Sequence, residues 1–204
     1  HFLRKDYGQE SYKELDKMVE YRVDGGLTLR ERIENWFAQL VYTINQPAAA
    51  RGNQSIFFNI AYFDKFYFAS IFEDFIFPDG DEPCWESTSA LQKMFMEWLN
   101  NERLKTVVTF PVETVNLLVQ DGEYADAETA NWAAEMWSKG ASFFMYQSDS
   151  VDSLSSCCRL RNAVEHEAFS YTLGAGGIMT GSKAVISLNL NRIVQDWKRE
   201  NEAA

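Results

Sequence analysis

The sequence is poor in the residues that build disulfide frameworks and metal sites. Its 204 residues include only three cysteines, Cys84, Cys157 and Cys158, and two histidines, His1 and His166. An odd cysteine count with two adjacent thiols is not the pattern of a secreted disulfide scaffold. A zinc site needs about four nitrogen, sulfur or oxygen ligands at motif spacing, which these five residues do not offer. We therefore expect no metal in this segment.

Positive charge and long apolar runs are also scarce. The chain has 19 Lys and Arg against 30 Asp and Glu, a net charge of -11. A nucleic-acid backbone needs clustered cations, so a nucleic-acid polymer is not an expected partner. A nucleotide ligand is compatible with this charge, since backbone N–H groups and one or two cations can bind a phosphate. No apolar run is long enough to span a bilayer and no signal peptide opens the chain. We expect no membrane partner and a reducing, cytoplasmic location.

Apolar residues make up 46% of the chain and aromatic residues 15%, the balance of a soluble globular protein. Their spacing alternates between the periods of helices and of buried strands. Helices are predicted at residues 11–21, 29–45, 89–102, 126–139 and 192–200, and strands at 56–63, 106–112, 142–146 and 183–190. Thr28 precedes Glu31 by three residues, a capping-box spacing, and Pro111 is expected to end the pairing of the second strand. Helices between strands buried on both faces predict a parallel α/β fold.

The adjacent thiols of Cys157 and Cys158 are the strongest local feature. They lie in a polar segment just past a predicted strand, beside Arg159 and Arg161. Cations favour the thiolate, and neighbouring residues in a strand or loop point in different directions, so one thiol faces a given pocket. The alternative is that both are small buried hydrophobic residues, as free cysteines often are. The polar flanks favour a functional thiol.

Two weaker features accompany the thiols. Gln54 and Ser55 stand at the entrance of the first predicted strand, where they and nearby backbone donors are candidates for substrate binding. Asn189 interrupts the apolar strand at 183–190, and a buried amide must be hydrogen-bonded either to a ligand or to a neighbouring loop. The glycine-rich stretch 174–183 does not have the residue order of a P-loop and is interpreted as a flexible connection.

Five segments, taken in order, carry a family resemblance over nearly the whole chain. They are residues 45–55, 77–80, 108–114, 148–162 and 189–193. Their most specific parts read Cys-Cys-Arg and Asn-Leu-Asn-Arg. In these segments the chain resembles the anaerobic (class III, glycyl-radical) ribonucleoside-triphosphate reductases.

The resemblance implies a fold and a set of roles. The fold would be part of a ten-stranded α/β barrel with a finger loop, and Cys158 on that loop would carry the thiyl radical. Cys157 would be its neighbour, without an assigned role, and Asn189 would bind the substrate ribose. Gln54 and Ser55 lie in one of the matching segments and are kept as substrate-binding candidates.

The resemblance also implies an activity, the reduction of ribonucleoside triphosphates to 2′-deoxyribonucleoside triphosphates. The implied partners are the nucleotide substrate, a radical-SAM activating enzyme, formate or a thioredoxin-like reductant, ATP and dNTP effectors, and a second copy in a homodimer. The N-terminal regulatory domain, the upstream redox cysteine and the C-terminal glycyl-radical segment of the family have no counterpart in this sequence. We therefore expect residues 1–204 to be one internal segment of the catalytic barrel domain, inactive alone.

Two other functions compete with this interpretation. A formate-lyase type of glycyl-radical enzyme also has adjacent cysteines, but it does not share the segments at 45–52 and 189–192. A catalytically silent domain that binds nucleotides or mediates dimer contacts would suit the aromatic region 57–77. Such a domain would bind an effector dNTP without any substrate.

Overall fold

The computed structural model describes residues 1–19, 26–49, 52–53, 55–72, 74–151, 153–155, 161–163 and 188–202. The helices are α1 (Phe2–Tyr7), a 3-10 turn (Ser11–Lys13), α2 (Leu29–Asn45), α3 (Lys65–Phe72), α4 (Trp85–Arg103), α5 (Ala127–Ser138) and α6 (Leu190–Glu202). The strands are β1 (Met18–Val19), β2 (Leu27–Thr28), β3 (Asn59–Phe63), β4 (Val112–Gln120), β5 (Glu123–Tyr124), β6 (Phe144–Ser148), β7 (Ser153–Ser155) and β8 (Arg161–Ala163). Within these ranges no helix is both long and apolar enough to cross a membrane.

Strand β4 is the centre of the main sheet. It pairs in parallel with β3, from Asn59 opposite Val112, and in parallel with β6, from Thr114 opposite Phe144. Its far end turns back into β5 as an antiparallel hairpin. Asp121 and Gly122 form that turn with φ values of 51° and 83°, and an Asp-Gly pair is preferred where two central residues need positive φ. The parallel pairing confirms the predicted α/β organisation.

Helices α2, α4 and α5 cover one face of this sheet and build the main core. The sheet contributes Tyr62, Val115 and Leu117, all of which are buried. The helices contribute the other main members of the cluster, Val41, Phe95, Met96, Leu99, Ala130, Trp132, Ala133 and Met136. Removing this apolar surface from water provides the main stabilisation of the layer, at roughly 25 cal/mol per Å². The β4 strand is buried on both faces, as a central parallel strand should be.

The helix ends follow the signals in the sequence. Thr28 accepts a hydrogen bond from the Glu31 backbone N–H, and the Glu31 carboxylate accepts one from the Thr28 N–H, so the predicted capping box at α2 is confirmed. Asp126 caps α5 by accepting from the Thr129 N–H. Each cap satisfies backbone donors that a helix start leaves without partners.

Two predicted elements were wrong in type or position. Residues 11–19 form a 3-10 turn and a short strand paired with Leu27–Thr28, not a helix. Leu15 and Val19 of this segment are partly buried against the cluster around Leu29. The second long strand begins at Val112 after Pro111, whereas we predicted that Pro111 would end it. Proline has no N–H for the ladder, so it fits directly before the first paired residue as well as after the last one.

Other differences concern element bounds. The predicted strand 56–63 begins at Asn59, and the predicted strand 142–146 covers Phe144–Ser148. Helix α3 was not predicted. In the predicted strand 183–190, residues 183–187 lie outside the described residues, and helix α6 begins at Leu190.

The Asn45 side chain joins the ends of α2 and β4. Its Nδ2 donates to the carbonyls of Val41 (2.8 Å) and Phe110 (2.6 Å). Its Oδ1 accepts from the backbone N–H groups of Thr109 (3.1 Å) and Phe110 (3.0 Å). Two of the segments that carry the family resemblance, 45–55 and 108–114, are therefore held together by one amide.

Replacing the Asn45 amide should loosen residues 109–110, which lead into β4. In Asn45→Ala the Thr109 and Phe110 N–H groups lose their acceptor, and each net hydrogen bond contributes about 0.5–1.5 kcal/mol. We expect their amide protons to exchange at least tenfold faster in hydrogen–deuterium exchange mass spectrometry. Asn101→Ala, an exposed asparagine on α4, is the control and should leave this exchange unchanged. Equal exchange in both variants would contradict this role of the four Asn45 hydrogen bonds, which we call the Asn45 clamp.

Candidate active site

The carboxyl ends of β3, β4 and β6 meet at one edge of the sheet, the usual place for ligands in parallel α/β proteins. Asp64 follows β3 at this edge and is fully buried. Its Oδ1 accepts from the N–H groups of Phe66 (2.9 Å) and Tyr67 (2.8 Å), and its Oδ2 accepts from the Leu118 N–H (2.7 Å). Burial raises the pKa of Asp64 above its ordinary value, against the opposing effect of these hydrogen bonds. The carboxylate ties the start of α3 to β4.

A second aspartate lies at the same edge. Asp126 accepts from the Thr129 N–H (3.1 Å) and hydroxyl (2.9 Å), and also from the Lys65 N–H (3.2 Å). Burial acts to raise the pKa of Asp126, but the hydrogen bonds from Thr129 and Lys65 outweigh it and hold the pKa below its ordinary value. The N-termini of α3 and α5 therefore meet through one carboxylate. Sequence reasoning identified α5 but missed Asp64, although an aspartate after an apolar strand is itself a helix-start signal.

Tyr67 connects this edge to the segment after β6. It is fully buried, and its hydroxyl donates to the backbone carbonyl of Ser150 (3.2 Å). Its ring packs in a small apolar cluster with Leu118, Phe63 and Val151. The connection between β6 and β7 is therefore anchored to α3.

The predicted cysteines lie between two paired strands. Strands β7 and β8 form an antiparallel hairpin in which Ser153 is opposite Ala163 and Ser155 is opposite Arg161. Strand β7 lies beside β4 and β6. Cys157 and Cys158 belong to the connecting residues 156–160, which are outside the described residues. The hairpin thus starts at the carboxyl edge of the sheet.

The other predicted site residues are distributed along the fold. The Ser55 hydroxyl donates to the Asn45 carbonyl (2.9 Å), at the opposite end of β3 from Asp64. Gln54 is outside the described residues. Asn189 is exposed, and its Oδ1 accepts from the Arg192 N–H (2.9 Å) at the start of α6. The structure therefore gives Ser55 and Asn189 identifiable structural contacts, and it does not bring these two residues together.

A polar row that sequence reasoning missed runs across the sheet face opposite α2, α4 and α5. The Thr114 hydroxyl donates to Asn59 Oδ1 (3.2 Å), and Asn116 Nδ2 donates to the Tyr62 carbonyl (3.1 Å). Asn116 is fully buried, and its Oδ1 has no hydrogen-bond partner in the part of the chain that the structure describes. The signal was present in the sequence, since an asparagine inside an otherwise apolar strand requires a partner.

A buried charge cluster lies on the helix side of β4. Glu113 is 2% exposed and accepts hydrogen bonds from the Tyr62 hydroxyl and the Arg103 guanidinium. Arg103 also donates to the Pro111 carbonyl (2.7 Å). Burial raises the pKa of Glu113, against the opposing charge of Arg103, and burial followed by the nearby Glu113 charge raises the pKa of Tyr62 well above its ordinary range. This cluster links the end of α4 to β3 and β4.

Among the described residues, no three His, Cys, Asp or Glu side chains gather into a possible metal site. The polar groups instead collect at the carboxyl ends of parallel strands, beside the base of a hairpin. These features define a parallel α/β protein with a candidate active site at the sheet edge. The model of the family described as anaerobic ribonucleoside-triphosphate reductase matches residues 1–204, so the chain belongs to that family.

Solved structures agree with this membership. The anaerobic ribonucleotide reductase from Thermotoga maritima with citrate in the active site is 37% identical, with a TM-score of 0.56, over 61% of this chain and 22% of that chain. The same enzyme in complex with dATP and CTP is 35% identical, with a TM-score of 0.58, over 68% of this chain and 23% of that chain. The chain thus spans less than a quarter of the length of these solved structures. A search of curated proteins gave no match.

The Arg103–Glu113 pair provides a test of the charge cluster. Arg103→Met leaves the Glu113 carboxylate buried without its cation, which typically costs about 3–5 kcal/mol. Because the folded-state pKa of Glu113 is raised, its protonation favours the folded state, and the variant should regain stability as pH falls from 7 toward the unfolded-state pKa. Urea unfolding at pH 7 and pH 5 measures both effects.

The matched control is Arg30→Met. Arg30 pairs with Asp16 at 3.3 Å on the surface, and exposed pairs contribute about 0–1 kcal/mol. If Arg103→Met is no more destabilising than Arg30→Met, or loses further stability on acidification, the buried pair does not have the role described.

Proposed function

We propose that this chain is an internal segment of the catalytic barrel of an anaerobic ribonucleoside-triphosphate reductase, and that Cys158 carries its thiyl radical. Family membership supports the activity. The observation that carries the cysteine assignment is the β7–β8 hairpin: its two strands flank residues 156–160 in the sequence, and β7 lies beside β4 and β6. A short hairpin that starts at the carboxyl edge of a parallel sheet fits the finger loop of the family.

The strand pairing supports the barrel. Strand β4 is paired on both sides, whereas each of β3 and β6 pairs only with β4 among the described residues. Buried parallel strands need neighbours on each side. Additional strands next to β3 and β6 would continue the sheet toward the ten-stranded barrel.

The chemistry requires little of the segment beyond placement and exclusion of water. In the full-length enzyme the Cys158 thiol would give its hydrogen atom to a glycyl radical, which would supply the unpaired electron, and Cys158 would become the thiyl radical. The Cys158 thiyl would then take the 3′-hydrogen atom of the ribonucleotide, and the protonated 2′-hydroxyl would leave as water. Two electrons from the reductant and a second proton would complete the reduction at C2′, and Cys158 would return the hydrogen atom to C3′. Asn189 binds the ribose, while Ser55 and Gln54 contribute to substrate binding. Cys157 lies next to the radical site without an assigned step.

The partners follow from the same proposal. The substrate is a ribonucleoside triphosphate, the activating partner is a radical-SAM enzyme, and the reductant is formate or a thioredoxin-like protein. dATP and CTP are bound in one Thermotoga maritima structure, and nucleotides of these classes would act on the full-length enzyme containing this chain. We further propose a cytoplasmic homodimer with an N-terminal regulatory domain and a C-terminal glycyl-radical domain.

Cys158→Ala in the full-length enzyme should abolish nucleotide reduction, because the thiol proposed to take up the 3′-hydrogen is removed. Effector binding and the fold should be unchanged. Formation of dNTP by the activated enzyme under anaerobic conditions is the measurement. Cys84→Ala is the control, because Cys84 lies at the start of α4 and its thiol contacts Ser87 and Glu86. Substantial dNTP formation by Cys158→Ala would refute the assignment.

Asn189→Asp separates two roles of Asn189. Aspartate can still cap α6 through an acceptor oxygen, but it cannot donate an amide hydrogen bond to the ribose. We expect the KM for the substrate to rise about tenfold, the factor for losing about 1.4 kcal/mol of hydrogen bonding. An unchanged KM would leave Asn189 with the helix cap as its role.

A further inference from the structure

We infer that Tyr67 is a positioning residue that fixes the base of the β7–β8 hairpin through its hydrogen bond to Ser150. This inference rests on the proposed function only for the identity of the thiol that the hairpin carries. The contact itself lies entirely within the described residues. Tyr67 belongs to none of the segments that carry the family resemblance.

The contacts around Tyr67 hold it in one position. The residue is fully buried, and its backbone N–H is held by Asp64 Oδ1 at 2.8 Å. Asp64 is itself fixed to the centre of the sheet through the Leu118 N–H. The Tyr67 ring packs against Leu118, so the backbone of Tyr67 (through Asp64) and its ring are both held against β4. A buried ring between such contacts has little rotational freedom.

The Tyr67 hydroxyl contacts the connection between β6 and β7, where the hairpin leaves the sheet. Ser150 lies between the last residue of β6, Ser148, and the first residue of β7, Ser153. The Ser150 N–H donates to the Ser148 hydroxyl (3.2 Å), and its carbonyl accepts from Tyr67 (3.2 Å). Val151 packs in the same cluster as Tyr67. The direction in which β7 leaves the sheet is therefore set by contacts to Ser150 and Val151.

The position of the hairpin base matters for the reaction. Hydrogen-atom transfer needs the reacting atoms about 3–3.5 Å apart, and a shift of about 1 Å can reduce its rate about 100-fold. A hairpin magnifies a small rotation at its base into a larger displacement at its connecting residues. Loss of one hydrogen bond at Ser150 should therefore reduce turnover while leaving substrate affinity in place. This split between kcat and KM distinguishes positioning from binding.

The test is Tyr67→Phe in the full-length reductase, with Tyr62→Phe as the matched control. Both tyrosines are at most 1% exposed and donate one hydroxyl hydrogen bond, but Tyr62 donates to Glu113 on the helix side of the sheet. In Tyr67→Phe, peptides covering residues 149–155 should exchange amide hydrogens about tenfold faster, which corresponds to one net hydrogen bond. Tyr62→Phe should leave these peptides at the wild-type rate. The measurement uses enzyme without its radical and is independent of turnover.

In the activated enzyme, kcat of Tyr67→Phe should fall about tenfold with KM within twofold of wild type. Wild-type exchange at 149–155 together with wild-type kcat would overturn the inference, as would equal acceleration in both tyrosine variants. If Tyr67→Phe does not fold, Asp64→Asn replaces it, because loss of the acceptor for Leu118 N–H loosens the contacts around Tyr67 and should accelerate the same peptides. Faster exchange combined with an active Cys158→Ala enzyme would retain Tyr67 as the hairpin anchor and refute the proposed thiol.

Discussion

The carboxylate of Asp64 is the contact on which the carboxyl edge of the sheet depends. Three backbone N–H groups from α3 and β4 converge on it in a fully buried environment. A buried N–H without an acceptor costs about 1–3 kcal/mol, so β3, α3 and β4 can close together only where such an acceptor is present. Asp126 extends the same arrangement to α5 through the Lys65 N–H. Fixing α3 in this way fixes Tyr67 and, through Ser150, the start of the hairpin.

Strand β4 combines two different environments on its faces. Toward the helices, apolar residues and the Glu113–Arg103 pair lie in the core. Toward the other side, Thr114 and Asn116 form a polar row that neighbours β3 through Asn59 and Tyr62. A sheet with α2, α4 and α5 on one face and buried polar groups on the other is suited to enclose a polar ligand, since the helix layer provides stability while the opposite face provides hydrogen bonds.

Local signals predicted much of the helical framework but less of the sheet. The Thr28–Glu31 capping box and the helix that Asp126 caps were visible because their partners lie within three residues in the sequence. Strand β4 was misplaced because its polar residues resemble a surface segment until their partners are known. Those partners are Arg103, Asn59 and the Tyr62 carbonyl, which are not neighbours of β4 in the sequence. Helix α3 was missed because apolar residues surround it and leave no amphipathic period. The cysteine pair was recognised from its polar flanks, whereas the pairing of β7 with β8 required the structure.

The Asn45 clamp has a consequence for sequence variation among relatives. Its hydrogen bonds reach only main-chain atoms of Val41, Thr109 and Phe110. The side chains at these positions can therefore change between relatives without loss of the hydrogen bonds. The clamp can be conserved by one amide alone, because aspartate or serine would offer an incomplete set of donors and acceptors. Evolution should therefore constrain position 45 more tightly than position 109, even though the two residues take part in the same contact.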